Sequence, residues 1–247
     1  MSMSAADAAA ERLHALYVEE LERVLAPPVH PMVNERQTRA LIRMAHAARP
    51  GVCEAPDATT WIWSDLHLGH KPSLGVFFRP FGTVGRADEA MMDTWYDLVG
   101  ADDTIICLGD VSVDGSVTAR HQRWWREAPG VKWLVLGNHD VDPVNRVRPV
   151  AVDRTAVTLF APGEPPLLLT HVPLMQVPHG WVNVHGHVHQ KESPSRHRHI
   201  NVSVEQLNYR PAKLSDIRRL ARRLVEGRIV PGHSTRARLN LVERVMP

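Results

Sequence analysis

The pattern of apolar positions changes character near residue 60. Before it, Leu13, Leu16, Tyr17, Leu21, Val24 and Leu25 recur three and four residues apart, with Glu19, Glu20, Glu22 and Arg23 mostly on the other side. That spacing predicts an amphipathic helix over residues 5–26, which Pro27 and Pro28 end. A second helix is expected from Asn34, as N-cap, through Leu41, Ile42 and Met44 to about Ala48, ahead of Pro50 and Gly51. After Thr60, short continuous apolar runs take over, and each stops at Gly, Asp, Asn or His: WIWSD, TIICLGD, VKWLVLGNHD, LLLTH and WVNVHGH. Such runs read as strands buried on both faces, with helices between them at about 88–99 and 116–126. Stretches 155–160, 167–170, 181–185 and 200–204 read as strands, and the count predicts two facing sheets rather than one. A helix capped at about Ser215 and carrying Ile217, Leu220 and Leu224 follows Pro211, whereas the tail from Gly227 has no assignable pattern. The implied organisation is an N-terminal helical extension (1–56), an α/β domain (57–226) and a C-terminal tail (227–247).

Composition narrows the class without choosing a function. The 247 residues are 44% hydrophobic and 23% charged, which is ordinary for a globular protein able to bury a sizeable core. A formal charge of +2 permits an anionic substrate without implying a surface that coats nucleic acid, which is a possible partner but not an indicated one. Of the two cysteines, Cys107 lies inside the apolar run 104–108 and reads as a small buried hydrophobe rather than a ligand. The N-terminus has no positive end followed by an apolar core, and no stretch is long enough to span a bilayer, so a cytoplasmic location and no membrane partner are expected.

The chemistry sits where the apolar runs stop. Asp65, His67, Asp110, Asn138, His171, His187 and His189 are all potential metal ligands. They fall in five words: D-L-H, G-D, G-N-H-D, a lone His, and G-H-V-H. A single D-x-H or G-D is weak, but five in one order are not a chance set of turn residues. Each word lies at the C-terminal end of an expected strand, where a rigid sheet brings several loops together. Oxygen ligands mixed with imidazoles, and no cysteine among them, suit manganese, iron, zinc or nickel. One carboxylate can bridge two such ions, so the set reads as a site for two divalent metals.

In these words and their order the chain resembles the calcineurin-like metallophosphoesterases, over roughly residues 60–209. The resemblance implies a four-layer αββα sandwich with two mixed sheets. It implies that Asp65, His67 and His189 hold one ion, that Asn138, His171 and His187 hold the other, and that Asp110 bridges. It also implies in-line attack of a metal-bridging hydroxide on a phosphate ester, manganese being the first expectation for the metal. His139, next to ligand Asn138, is then the candidate for assisting the leaving group. The protein-phosphatase branch of the superfamily carries Asp three residues after the bridging one, then Arg, and Glu in the third word. Here Val113 stands at that place, Asp114 comes one later and the third word ends in Asp140, which argues against that branch. A nearer similarity is to small bacterial and phage phosphoesterases, through Ser64 to His70, Arg79-Pro80-Phe81, Leu108 to Asp110, Asn201 to Val204 and Asn208 to Pro211. That branch often has Asp where Glu205 stands and Asn where Tyr96 stands.

Other candidates carry less. Arg79, after the D-L-H word, could clamp a phosphate, against the alternative of an ion pair that fixes its turn. His70 could touch substrate or a metal ligand. Arg218, Arg219, Arg222, Arg223 and Arg228 could meet a nucleic-acid backbone but read better as a solvated helix face. Trp61, Trp63, Trp95, Trp133 and Trp181 are expected to pack, and His197 and His199 to be exposed in a hairpin. Three functions follow: a phosphomonoesterase or phosphodiesterase, a nuclease or cyclic-nucleotide phosphodiesterase, and a non-catalytic scaffold of the same fold. Full retention of the ligand set favours the first. The substrate and the oligomeric state are left open.

Overall fold

A computed structural model describes residues 5–25, 35–113, 116–142, 151–228 and 230–244. Asn34 and Asp114 lie outside the described residues. In chain order the elements are α1 (Ala5–Leu25), α2 (Glu35–Ala47), β1 (Gly51–Val52), β2 (Thr60–Trp63), α3 (Ser73–Val76), α4 (Val84–Leu98), β3 (Thr104–Cys107), α5 (Ala119–Glu127) and β4 (Val131–Val135). The chain continues with β5 (Arg154–Ala156), β6 (Leu159–Ala161), β7 (Leu167–Leu169), β8 (Val182–His185), β9 (His199–Asn201), β10 (Ala212–Lys213), α6 (Leu214–Val225) and α7 (Thr235–Arg244).

Two mixed five-stranded sheets form, in the orders β10-β2-β3-β4-β5 and β1-β6-β7-β8-β9. In the first, β2 to β5 run parallel and only β10 is antiparallel. In the second, the single antiparallel pair is β6 with β7. The apolar runs are buried on both faces because each sheet is covered twice: every residue of β2, β3, β7 and β8 is buried. Helices α4 and α5 lie against the first sheet through an edge-to-face chain of tryptophans. Trp63 of β2 meets Trp95 of α4 at 5.6 Å, and Trp95 meets Trp125 of α5 at 4.9 Å.

Four expectations need correction. Stretch 155–160 is not one strand: Arg154–Ala156 ends the first sheet and Leu159–Ala161 enters the second. Continuous hydrophobicity hid this switch, because both halves are buried and periodicity carries no mark of which sheet is joined. Ser215 is not the cap of α6, which begins after Lys213 with Ser215 inside its first turn. The tail holds a helix, Thr235–Arg244, whose Leu239 and Val242 reach the core. His199 is 1% exposed rather than on a hairpin tip: β8 and β9 pair in parallel, and its Nε2 donates to the Leu174 carbonyl at 2.6 Å.

Candidate metal centre

The ends of β2, β3, β4, β7 and β8 converge on one rim, where an isolated bridge between Ser64 and Ser203 ties the two sheets together. Two side-chain groups assemble there. Asp65, His67 and His189 form one and Asp110, His171 and His187 the other, with the ligand atoms of each within 4.8 Å of one another. Asp110 reaches both: its Oδ2 is 3.6 Å from His67 Nε2 and 3.3 Å from His171 Nε2. Asn138 is 3% exposed and its Oδ1 has no partner among the described residues.

The backbone bends sharply to bring these groups inward. Asp65, His67, Asp110, His187 and His189 all adopt left-handed φ, between 51° and 69°. Each such non-glycine residue costs on the order of 1 kcal/mol or more, and clusters of them mark functional sites. The strain is held by hydrogen bonds. Asp140 accepts from the backbone N–H groups of Asp110 (2.7 Å), Val111 (3.0 Å) and Gly137 (2.9 Å), which fastens the second word to the third. Asp65 accepts from His187 N at 3.0 and 3.1 Å and from the Ser203 hydroxyl at 2.8 Å. Two glycines of the words exist for close approach: a Cβ at Gly137 would overlap the Asp110 carboxylate, and one at Gly186 would overlap Ser64 and Asp65.

Electrostatics favour added positive charge. Burial pushes His67 down to about 3 and His187 well below its ordinary value, so both rings are neutral and keep lone pairs. For His171, burial acts downward, but the Asp110 carboxylate outweighs it and brings the ring to about 10. With Nδ1 of His171 donating to the Leu108 carbonyl at 2.7 Å, its Nε2 faces His187 Nδ1 at 3.2 Å and the Asp110 carboxylate. Two imidazole nitrogens and a carboxylate in that arrangement need a proton or a metal between them. Burial and the adjacent Asp110 raise Asp140 to about 7, the donors of Gly137 and Asp110 acting the other way. Among the described residues, both nitrogens of His67 and Oδ1 of Asn138 are buried without a hydrogen-bond partner. Orphaned donor atoms around clustered carboxylates fit a divalent cation.

The remaining candidates divide. His139 donates its backbone N–H to Asp110 Oδ1 at 2.9 Å, its Nδ1 has no hydrogen-bond partner among the described residues, and its ring stands edge-on to His67 at 5.4 Å. His70 pairs with the Ser73 hydroxyl at 2.8 Å, its ring 5.7 Å from that of His67. Arg79, a candidate for a phosphate clamp or for an ion pair that fixes its turn, faces inward and is 5% exposed. Its donors go to the carbonyls of Asp65 (2.7 Å) and Leu66 (2.8 Å) and to Glu205 (2.9 Å). Glu205 in turn takes Nδ1 of His189 at 3.2 Å. The α6 arginines are largely engaged: Arg218 is buried against Asp57, Arg219 pairs with Asp216 and Arg222 donates to the Glu164 carbonyl.

Sequence reasoning missed the roles of Asp140, Glu205, Ser203 and Asn201. Asp140 closes the G-N-H-D word itself, and the signal of the other three lay in or beside the Asn201 to Val204 word, used only for resemblance. In Asn201 to Val204, Asn201 Nδ2 donates to the His189 carbonyl at 2.8 Å and Ser203 holds Asp65. The Arg79-Pro80-Phe81 and Asn208-Tyr209 words touch, with Phe81 edge-on to Tyr209 at 4.7 Å.

Two covered mixed sheets with paired His/Asp groups at one shared rim define a protein of the metallophosphoesterase class. The family model of calcineurin-like phosphoesterases matches residues 58–239, and the chain belongs to that family. It is similar to the Gene 66 protein of Mycobacterium phage L5, at 32% identity over 60% of this chain and 87% of the phage protein. An uncharacterized protein of Methanocaldococcus jannaschii is 25% identical over 69% of this chain and 93% of its own. These relatives fit the small phage and bacterial branch. A solved structure of a protein of unknown function from Aquifex aeolicus shares the fold, with TM-score 0.55 and 23% identity over 65% of this chain and 98% of that one. Among the described residues no helix is long and apolar enough to cross a membrane.

Proposed function

We propose that this chain hydrolyses phosphate esters with two divalent metal ions, manganese being the first candidate. Asp65, His67 and His189 hold one ion, Asn138, His171 and His187 the other, and Asp110 is shared. The observation that supports this is the pair of His/Asp groups with Asp110 within 3.6 Å of a histidine from each. Ions held there supply the chemistry of a Lewis acid, lowering the pKa of water and offsetting the charge on the phosphate.

The chain's own residues do the rest. Asp110 keeps the two groups in one frame, itself fixed by its backbone bond to Asp140 and by the His139 N–H on Oδ1. As water oxygen bonds to phosphorus, the opposite phosphorus–oxygen bond breaks and the leaving oxygen needs a proton. His139 supplies it from its half-buried ring, whose Nδ1 has no hydrogen-bond partner among the described residues. Protonated carboxyls are poor candidates for that role here, because Asp140 and Asp65 are committed to backbone N–H groups.

Purified protein supplied with manganese is expected to hydrolyse a mono-aryl or bis-aryl phosphate, and the ratio of the two rates assigns monoesterase or diesterase. Wild-type protein that binds the metal yet cleaves neither ester overturns the reading in favour of a scaffold.

A further inference from the structure

We propose that Tyr17 is a positioning residue for His171, which makes helix α1 a working part of the second ion's half-site. This rests on the metal-centre reading above. The helix lies outside the stretch 58–239 that the family model matches, so the contact belongs to this chain's own extension.

The loop after β7 carries His171, and the partners of its backbone groups can be followed one by one. Thr170 N donates to the Val184 carbonyl at 3.0 Å, the His171 carbonyl accepts from Gly186 N at 3.0 Å, and Leu174 N donates to Asn183 Oδ1 at 2.9 Å. These partners come from the second sheet and the strand ends around it. Val172 N differs: it donates to the Tyr17 hydroxyl, 3.3 Å away and 155 residues earlier in the chain. Tyr17 is 0% exposed and so are His171 and Val172, so water cannot take over as acceptor.

Helix α1 is itself pinned beside this loop. His14, one turn before Tyr17, pairs with the Thr158 hydroxyl at 2.8 Å and with the Ala45 carbonyl at 3.0 Å. One residue thus ties α1 to the bend that leads into β6 and to α2, and the next inward-facing one reaches the metal loop. His171 is held from two sides, at its ring by Leu108 and at the adjoining peptide by Tyr17. A buried N–H that loses its acceptor shifts to find another, and here the shift moves the peptide attached to a metal ligand. Metal geometry tolerates about 0.5 Å of such movement.

The test compares Tyr17→Phe with Leu13→Ala in the full chain, titrated with manganese by calorimetry and analysed for metal content after dialysis. Tyr17→Phe removes one oxygen and keeps the packing, whereas Leu13→Ala loosens α1 and keeps the hydroxyl. Wild type is expected to hold two ions. Tyr17→Phe is expected to keep the first affinity and weaken the second about 10–100-fold, the usual cost of losing support behind a metal ligand. Leu13→Ala is expected to lower the melting temperature and leave the ratio of the two affinities unchanged. Amide exchange at Val172 reads the same contact without metal: protection falls in Tyr17→Phe and persists in Leu13→Ala. An unchanged affinity ratio in Tyr17→Phe, or a ratio moved equally by Leu13→Ala, overturns the role of Tyr17. A wild-type chain that binds no ion instead overturns the metal-centre reading, and the proposal with it.

Discussion

The two halves of the candidate metal centre share Asp110 yet are supported in different ways. Behind the Asp65, His67 and His189 group stands a charged relay: His189 Nδ1 meets Glu205, and Glu205 meets Arg79, whose other donors hold the carbonyls of Asp65 and Leu66. In the Asp110, His171 and His187 group, Asp140 fastens the Asp110 backbone, but the supports at His171 are neutral, a backbone carbonyl at its ring and a phenol at the neighbouring peptide. The first half-site is closed within the domain, by a salt bridge buried from solvent on both sides. The second depends on a helix that precedes the domain. Similar ligand sets therefore differ in what would loosen them, and that difference can be broken experimentally.

The largest effect is expected where the halves meet. Asp110→Ala removes the carboxylate both groups use, and metal analysis should show both ions lost with activity at background. Full activity in that variant would falsify the shared-ligand arrangement. His139→Gln comes next, with kcat lower by about 10²–10⁴-fold, the usual worth of a positioned proton donor, and metal content unchanged. A fall in metal content would instead make His139 a ligand.

Arg79→Met separates the halves. Removing one member of a buried ion pair strands Glu205, and such losses cost about 3–5 kcal/mol of stability. The first ion's affinity should fall and the second's should not, the mirror image of the Tyr17 variant. Equal weakening of both would mean that the halves are not separately supported.

The smallest effect concerns Glu205 in metal-free protein. Burial works to raise its carboxyl, but the His189 hydrogen bond and the charges of His189 and Arg79 outweigh it and lower the group from 4.5 to about 2. A carboxyl depressed on folding contributes stability that is complete above its unfolded pKa and is lost as pH falls through its folded one. This group should therefore account for on the order of 3 kcal/mol lost between about pH 4.5 and pH 2. Glu205→Gln should remove that part of the acid-unfolding profile. Superimposable profiles would take the charge relay out of the first half-site.

Much of the fold was legible from local pattern. Buried strands with Gly, Asp, Asn or His at their ends were readable because a strand covered on both faces must be apolar throughout and must stop at a residue that turns. The same uniformity concealed the switch of sheets at Val157 and Thr158, where two short buried strands read as one. Helix α7 was missed because its short apolar set follows an irregular stretch, and Arg79 misled because a guanidinium near a metal word looks the same whether it faces substrate or core.

The seven candidate ligands, their order and their place at strand ends were written in the residues themselves, because each depends only on neighbours a few positions away. The glycines of the words belong with them, although the atoms that require them were visible only in the fold. Tertiary structure alone decided that Arg79 meets Glu205 across 126 residues and that Tyr17 meets Val172 across 155. It also decided which Asp lies between the two histidine groups. Periodicity says which face of an element is buried, but the partner on that face is chosen by how the sheets and helices close on one another.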